Sequence, residues 1–187
     1  VSGLTGIPYP MTAWRTAAFN HELSSAVGKM IGENLLHGSS DSEKMVGLYG
    51  FSCNNHRSPY SGRNYEYYSE DPFLAGRAIA SEVGSFVAKG GITFMKHFAA
   101  NDQETYRHGV PSWSNEQALR QIYLKPFAMA MVDGHANGLM SGFNRLGMWW
   151  TGANPALLEE FAEGEQGYRG ITITDAFETD FMDTVDG

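Results

Sequence analysis

An alternation constrains this chain more than anything else. Four times along its 187 residues, a stretch with apolar side chains at helical spacing gives way to a short apolar or β-branched run, with glycine, proline or asparagine marking the joins. Strict alternation of this kind leaves few architectures. Each strand lies parallel to its predecessor while a helix crosses over between them, so the expected class is α/β, either doubly wound or curled into a barrel.

Asn20 caps the first helix, Leu23, Val27, Met30, Ile31 and Leu35 form its stripe, and His37-Gly38 stops it. Residues 1–18 read as loop, and Met45–Phe51 as the first strand. Asp71-Pro72 opens the second helix as cap and first-turn proline, with Leu74, Ile79, Val83, Phe86 and Val87 inward and Gly90-Gly91 as its end. Ile92–Met95 is the second strand and runs into Lys96-His97. Ser114-Asn-Glu-Gln117 has the form of a capping box for a third helix, with Leu119, Ile122, Tyr123, Phe127, Ala130 and Met131 inward and Pro126 kinking or splitting it. Gly138–Asn144 is the third strand, Asn154-Pro155 begins a short fourth helix, and Gly170–Asp175 reads as a buried fourth strand ending in a carboxylate.

In a parallel sheet fed by helices, ligands and catalytic groups collect at the carboxyl ends of the strands. Arg63 follows the first strand, Lys96 and His97 the second, Asn144 the third and Asp175 the fourth, so all are expected on one rim. The loop 52–70 carries Arg57, Arg63, Glu66 and four tyrosines, and a loop that long in a compact domain suits a polar ligand. An aspartate after a strand also serves as a turn residue or cap, so Asp175 gains weight only from its companions.

A formal charge of -8 without a lysine and arginine run argues against a nucleic-acid or anionic-membrane surface. Cys53 is the single cysteine, which excludes an internal disulfide framework, and no apolar run approaches the ~18 residues of a membrane span. No signal peptide stands at Val1, and the compartment stays open. Both ends read as cut. His97, Asp102, Glu104 and His108 match no compact ligand spacing, so no metal is expected, and no cofactor fingerprint occurs. Glu178, Asp180, Asp183 and Asp186 read as a solvated acidic face.

Four stretches carry a resemblance. Gly62-Arg-Asn-Tyr-Glu-Tyr-Tyr-Ser-Glu-Asp-Pro72, Lys96-His-Phe-Ala-Ala-Asn-Asp102, Met140-Ser-Gly-Phe-Asn144 and Gly167-Tyr-Arg-Gly-Ile-Thr-Ile-Thr-Asp175 resemble, in order and spacing, the motifs of glycoside hydrolase family 3, and the helix Glu116–Phe127 is similar to that family's. The resemblance implies a (β/α)8 TIM-barrel type of domain, here an incomplete barrel over residues 1–187, and a retaining β-glycosidase, most simply a β-glucosidase with β-xylosidase as the near alternative. It implies Asp175 as nucleophile, Arg63, Lys96 and His97 as binders of sugar hydroxyls, Met140 and Phe143 as pocket lining, and a β-linked glucoside or oligosaccharide as partner. Arg63 and Lys96 beside Asp175 would favour its ionised form.

The family usually has an aromatic residue after the nucleophile, whereas Ala176 stands here with Phe177 next. It also carries a sugar-binding aspartate early in the barrel and, in most members, an acid supplied by a second domain; neither is expected in this chain, and His108 lacks the surroundings of the one-domain branch's catalytic histidine. A non-catalytic carbohydrate-binding or scaffold protein is therefore the rival expectation. An isolated chain of this kind should associate through its open edges, or pair with the missing barrel segments and second domain.

Overall fold

A computed structural model describes residues 8–38, 46–108 and 110–175. Parallel strands come in chain order: β1 (Gly47–Leu48) pairs with β2 (Ile92–Thr93), whose chain continues through Phe94 into β3 (Met95–Phe98). β5 (Gly138–Ser141) lies parallel to β3, and β8 (Ile171–Ile173) parallel to β5. The expected sequential parallel order therefore forms, as an arc that does not close on itself among the described residues.

The first strand is shorter than expected, yet the chain keeps company with its neighbour well beyond β1. Phe94 N–H donates to Leu48, Lys96 N–H to Phe51 and Cys53 N–H to Lys96, with a parallel bridge between Ser52 and Lys96. β3 runs further than expected, so Lys96 and His97 lie within the strand. Met95 faces Leu139 while Phe98 faces Ser141, so β3 carries one extra residue, a bulge that breaks strict inside–outside alternation at Lys96 and His97.

Helix α2 (His21–His37) is capped by Asn20, whose side chain accepts from Glu22 and Leu23 N–H at 2.9 and 3.1 Å, and α3 (Pro72–Val87) by Asp71, which accepts from Leu74 N–H at 2.6 Å. The buried face of α2 differs from the expected stripe. Leu23 and Met30 are exposed, and Ser24, Val27, Gly28, Gly32 and Leu35 face inward. The physical reason is close packing: a Cβ at Gly28 would stand 2.1 Å from the Glu82 carbonyl oxygen of α3, so α2 approaches through its small residues. α3 packs in turn against α5 (Lys125–Val132).

Pro126 splits the third helix. α4 (Glu116–Ala118) continues as a π-helical turn, Leu119–Tyr123, before α5 starts with Pro126 in its first turn. Its cap is Asn115, which accepts from Ala118 N–H at 2.7 Å, while the Ser114 hydroxyl donates to the Asn115 carbonyl. The fourth helix is the π-helical Ala156–Glu165.

Two elements were not expected. α1 (Thr12–Thr16) forms within the presumed loop, secured by Arg15, which donates to the fully buried Glu82 from Nε at 3.1 Å and Nη2 at 3.0 Å. A small sheet of β4 (Pro111–Ser112), β6 (Arg145–Leu146) and β7 (Trp149–Trp150) sits beyond β3 and β5. Its two-residue strands are too short for a periodic signal.

The core gathers Leu35, Ile79, Val83 and Phe86 from the helices with Met95, Phe98 and Leu139 from the strands. β8 corrects the expectation of a buried strand: Ile171 is 55% exposed, because β8 has β5 on one side and no described partner on the other. Ala176, Phe177 and the acidic residues at 178, 180, 183 and 186 lie outside the described residues, as does the start of the expected first strand at Met45.

Candidate active site

The rim at the carboxyl ends of β3, β5 and β8 brings together side chains far apart in sequence. Arg63 leads into a single 3-10 turn, Asn64–Glu66, inside the long loop, and its side chain folds inward to 8% exposure. Arg63 Nη2 donates to His97 Nε2 at 2.9 Å, and Asp175 Oδ2 stands 3.4 Å from that same nitrogen. Arg63 Nε donates to Glu66 Oε1 at 2.7 Å, and Lys96 Nζ lies 3.4 Å from Glu66 Oε2. Four of the expected residues, Arg63, Lys96, His97 and Asp175, thus converge.

The chemistry of His97 follows from its neighbours. A guanidinium has no acceptor, so Nε2 must accept from Arg63 and the ring proton sits on Nδ1. Burial, then the nearby cations Arg63, Lys96 and Arg107, push the imidazole down to about 2, so it is neutral at any ordinary pH. Asn54 holds the His97 backbone at both ends, accepting from its N–H at 2.8 Å and donating to its carbonyl at 3.1 Å. His97 Nδ1 and Arg63 Nη1 are buried donors with no hydrogen-bond partner among the described residues. Such groups are costly unless something polar meets them.

Met140 is buried on β5, opposite Ile173 in register. Phe143, also buried, stacks with His108 at 4.8 Å between ring centres and lies under the Arg107 guanidinium at 4.4 Å. Asn144 is on the rim but serves the scaffold, donating to the Ala99 and Ala100 carbonyls, both at 3.1 Å. Burial, opposed by Arg57, lifts the Asp102 carboxyl to about 7. A cavity of about 270 Å³ opens beside Lys96, Glu66 and Ser52; its lining does not include Asp175. No group of three or more metal-ligating side chains occurs among the described residues.

Sequence reasoning missed Asn54 and left Glu66 unassigned. Glu66 stands three residues after Arg63, a spacing that pairs side chains only if the loop turns there, which the tyrosine-rich composition hid.

Comparison with known proteins bears on this rim. The family described as "Glycosyl hydrolase family 3 N terminal domain" matches residues 54–185. Beta-glucosidase B of Emericella nidulans is 36% identical over 173 residues, which is 92% of this chain and 20% of that protein. Exo-alpha-(1->6)-L-arabinopyranosidase of Bifidobacterium longum is 34% identical over 167 residues, 89% of this chain and 21% of that protein. The solved structure of beta-glucosidase 3B from Thermotoga neapolitana in complex with glucose superposes with a TM-score of 0.84 at 35% identity, covering 89% of this chain and 23% of that one. The chain spans about a fifth of the length of these relatives.

Proposed function

This chain belongs to glycosyl hydrolase family 3, and from that premise we propose that it forms the sugar-binding and nucleophile-bearing part of a retaining glycosidase that releases β-D-glucose from the non-reducing end of β-glucosides. The observation that carries the reading is the convergence of Asp175 with His97, and of His97 with Arg63, on one rim.

Asp175 is the nucleophile. Its carboxylate attacks the anomeric carbon and the aglycone oxygen leaves, forming a covalent glycosyl ester that water then hydrolyses. Lys96 donates to sugar hydroxyls as a compact cation, with Arg63 and neutral His97 binding beside it. These bonds lower the barrier to the extent that they tighten as the ring approaches an oxocarbenium ion. Met140 and Phe143 supply the apolar side of the subsite. The acid that protonates the leaving oxygen comes from another part of the whole protein, in a second domain.

The test is intact-mass spectrometry and peptide mapping of the whole protein after incubation with a 2-deoxy-2-fluoro-β-glucoside bearing an activated leaving group, which departs with little acid help. A glycosyl adduct on Asp175, absent from Asp175→Asn, is the expected result. No adduct in folded protein would leave a non-catalytic carbohydrate-binding role. Faster turnover of β-xylosides or α-L-arabinopyranosides than of β-glucosides would reassign the sugar.

A further inference from the structure

Two cations of the rim share one carboxylate. Glu66 Oε1 accepts from Arg63 Nε at 2.7 Å, while Oε2 faces Lys96 Nζ at 3.4 Å and accepts from the Ser52 hydroxyl at 3.2 Å. The Glu66 side chain is 13% exposed, and those of Arg63 and Lys96 are 9% and 21% exposed, so water screens these charges only partly. Glu66 therefore ties the long loop to β3, and to the segment around Ser52 that bridges to Lys96.

We infer that Glu66 is a positioning residue, which aims Arg63 and Lys96 at the sugar and balances their charge without touching the substrate. This rests on the reading of those two cations as sugar-binding groups. An arginine cannot lose its proton in a protein, and a lysine has four rotatable bonds through which it can swing to solvent. Two such cations beside one another repel, and the neutral His97 between Arg63 and Asp175 offers no relief. Glu66 removes the repulsion and restrains both side chains at once. Its bond to Nε also fixes the guanidinium plane, so that Nη2 meets His97 and Nη1 is the nitrogen left to donate elsewhere. Glu104 reaches the same Nε only at 3.6 Å and is half exposed, so it cannot substitute.

The experiment is steady-state hydrolysis of 4-nitrophenyl β-glucoside by the whole protein as wild type, Glu66→Gln, Glu66→Asp, Lys96→Met and the double variant Glu66→Gln/Lys96→Met, each checked for folding by near-ultraviolet circular dichroism. A ~10- to 100-fold loss in kcat/KM, the size typical of residues that orient metal ligands, is expected for Glu66→Gln. Glu66→Asp, which keeps the charge on a shorter stem, should recover part of it. Because Glu66 acts through both partners, the loss caused by Glu66→Gln should be smaller in the Lys96→Met background than in wild type, leaving only the share exerted through Arg63. Losses that multiply, or a Glu66→Gln variant within about 2-fold of wild type, would overturn the inference; so would failure of both Glu66 variants to fold, which would make the role structural. A wild-type protein unreactive to activated β-glucosides would overturn the proposed function and this inference together, whereas a reactive wild type beside an unaffected Glu66→Gln would overturn this inference alone.

Discussion

His97 and Asp102 respond to burial in opposite senses, and the difference is measurable. His97 binds a proton near 6.5 when unfolded but only near 2 when folded, so stability is lost as pH falls below about 6.5. Asp102 loses its proton near 3.8 when unfolded and near 7 when folded, so stability is lost as pH rises from about 4 towards 7. Between about pH 4 and 6.5 the two effects cancel, each amounting to about 1.4 kcal/mol per pH unit. Relative to wild type, Asp102→Asn should therefore lose stability by about that slope on acidification from pH 6.5 to 4.5, and His97→Gln should gain by it. Urea midpoints at several pH values check both; parallel curves for all three proteins would mean that neither group is held in the stated form. Neither shift was legible in the sequence. Both residues stood out there as titratable groups near a strand end, but burial and cation distance come from chain segments remote from them.

The helices were read well at their ends and less well on their faces. Asn20 and Asp71 cap where expected, because a cap is a local bond between a side chain and backbone two or three residues on. Ser114 lost the cap to its neighbour Asn115, which moves the helix start by one residue, to Glu116. On α2, hydrophobicity points to Leu23 and Met30 as the buried face, whereas close packing against α3 selects the small residues Ser24, Gly28 and Gly32. Gly28→Ala puts a methyl against the Glu82 carbonyl, where backbone cannot yield cheaply, and should cost about 1–3 kcal/mol. Thermal or urea unfolding measures it; an unchanged midpoint would mean that α2 and α3 can separate without loss. Gly138 makes a similar demand at the strands, where a Cβ would fall 1.6 Å from the Thr93 carbonyl oxygen.

For the whole molecule, the open arc has a physical consequence. β8 presents an exposed Ile171 and an edge without a described partner, and unpaired backbone next to apolar surface invites association. The 187-residue chain by itself should sediment as a concentration-dependent oligomer, and Ile171→Lys should shift it towards monomer. A monomer at all concentrations with a sharp unfolding transition would count against the barrel placement.

The sequence alone determined the α/β class, the parallel sense of the strands, most helix starts and the membership of Arg63, Lys96, His97 and Asp175 in one rim, since these follow from local periodicity, capping and the geometry of crossovers, whereas the strand order stayed open between a doubly wound sheet and a barrel. The tertiary structure alone decided which nitrogen of His97 carries the proton, which carboxylate faces Lys96, which face of α2 is buried and that β8 is an exposed edge. Those depend on distances of 2 to 4 Å between segments tens of residues apart, and spacing along a chain carries no record of them.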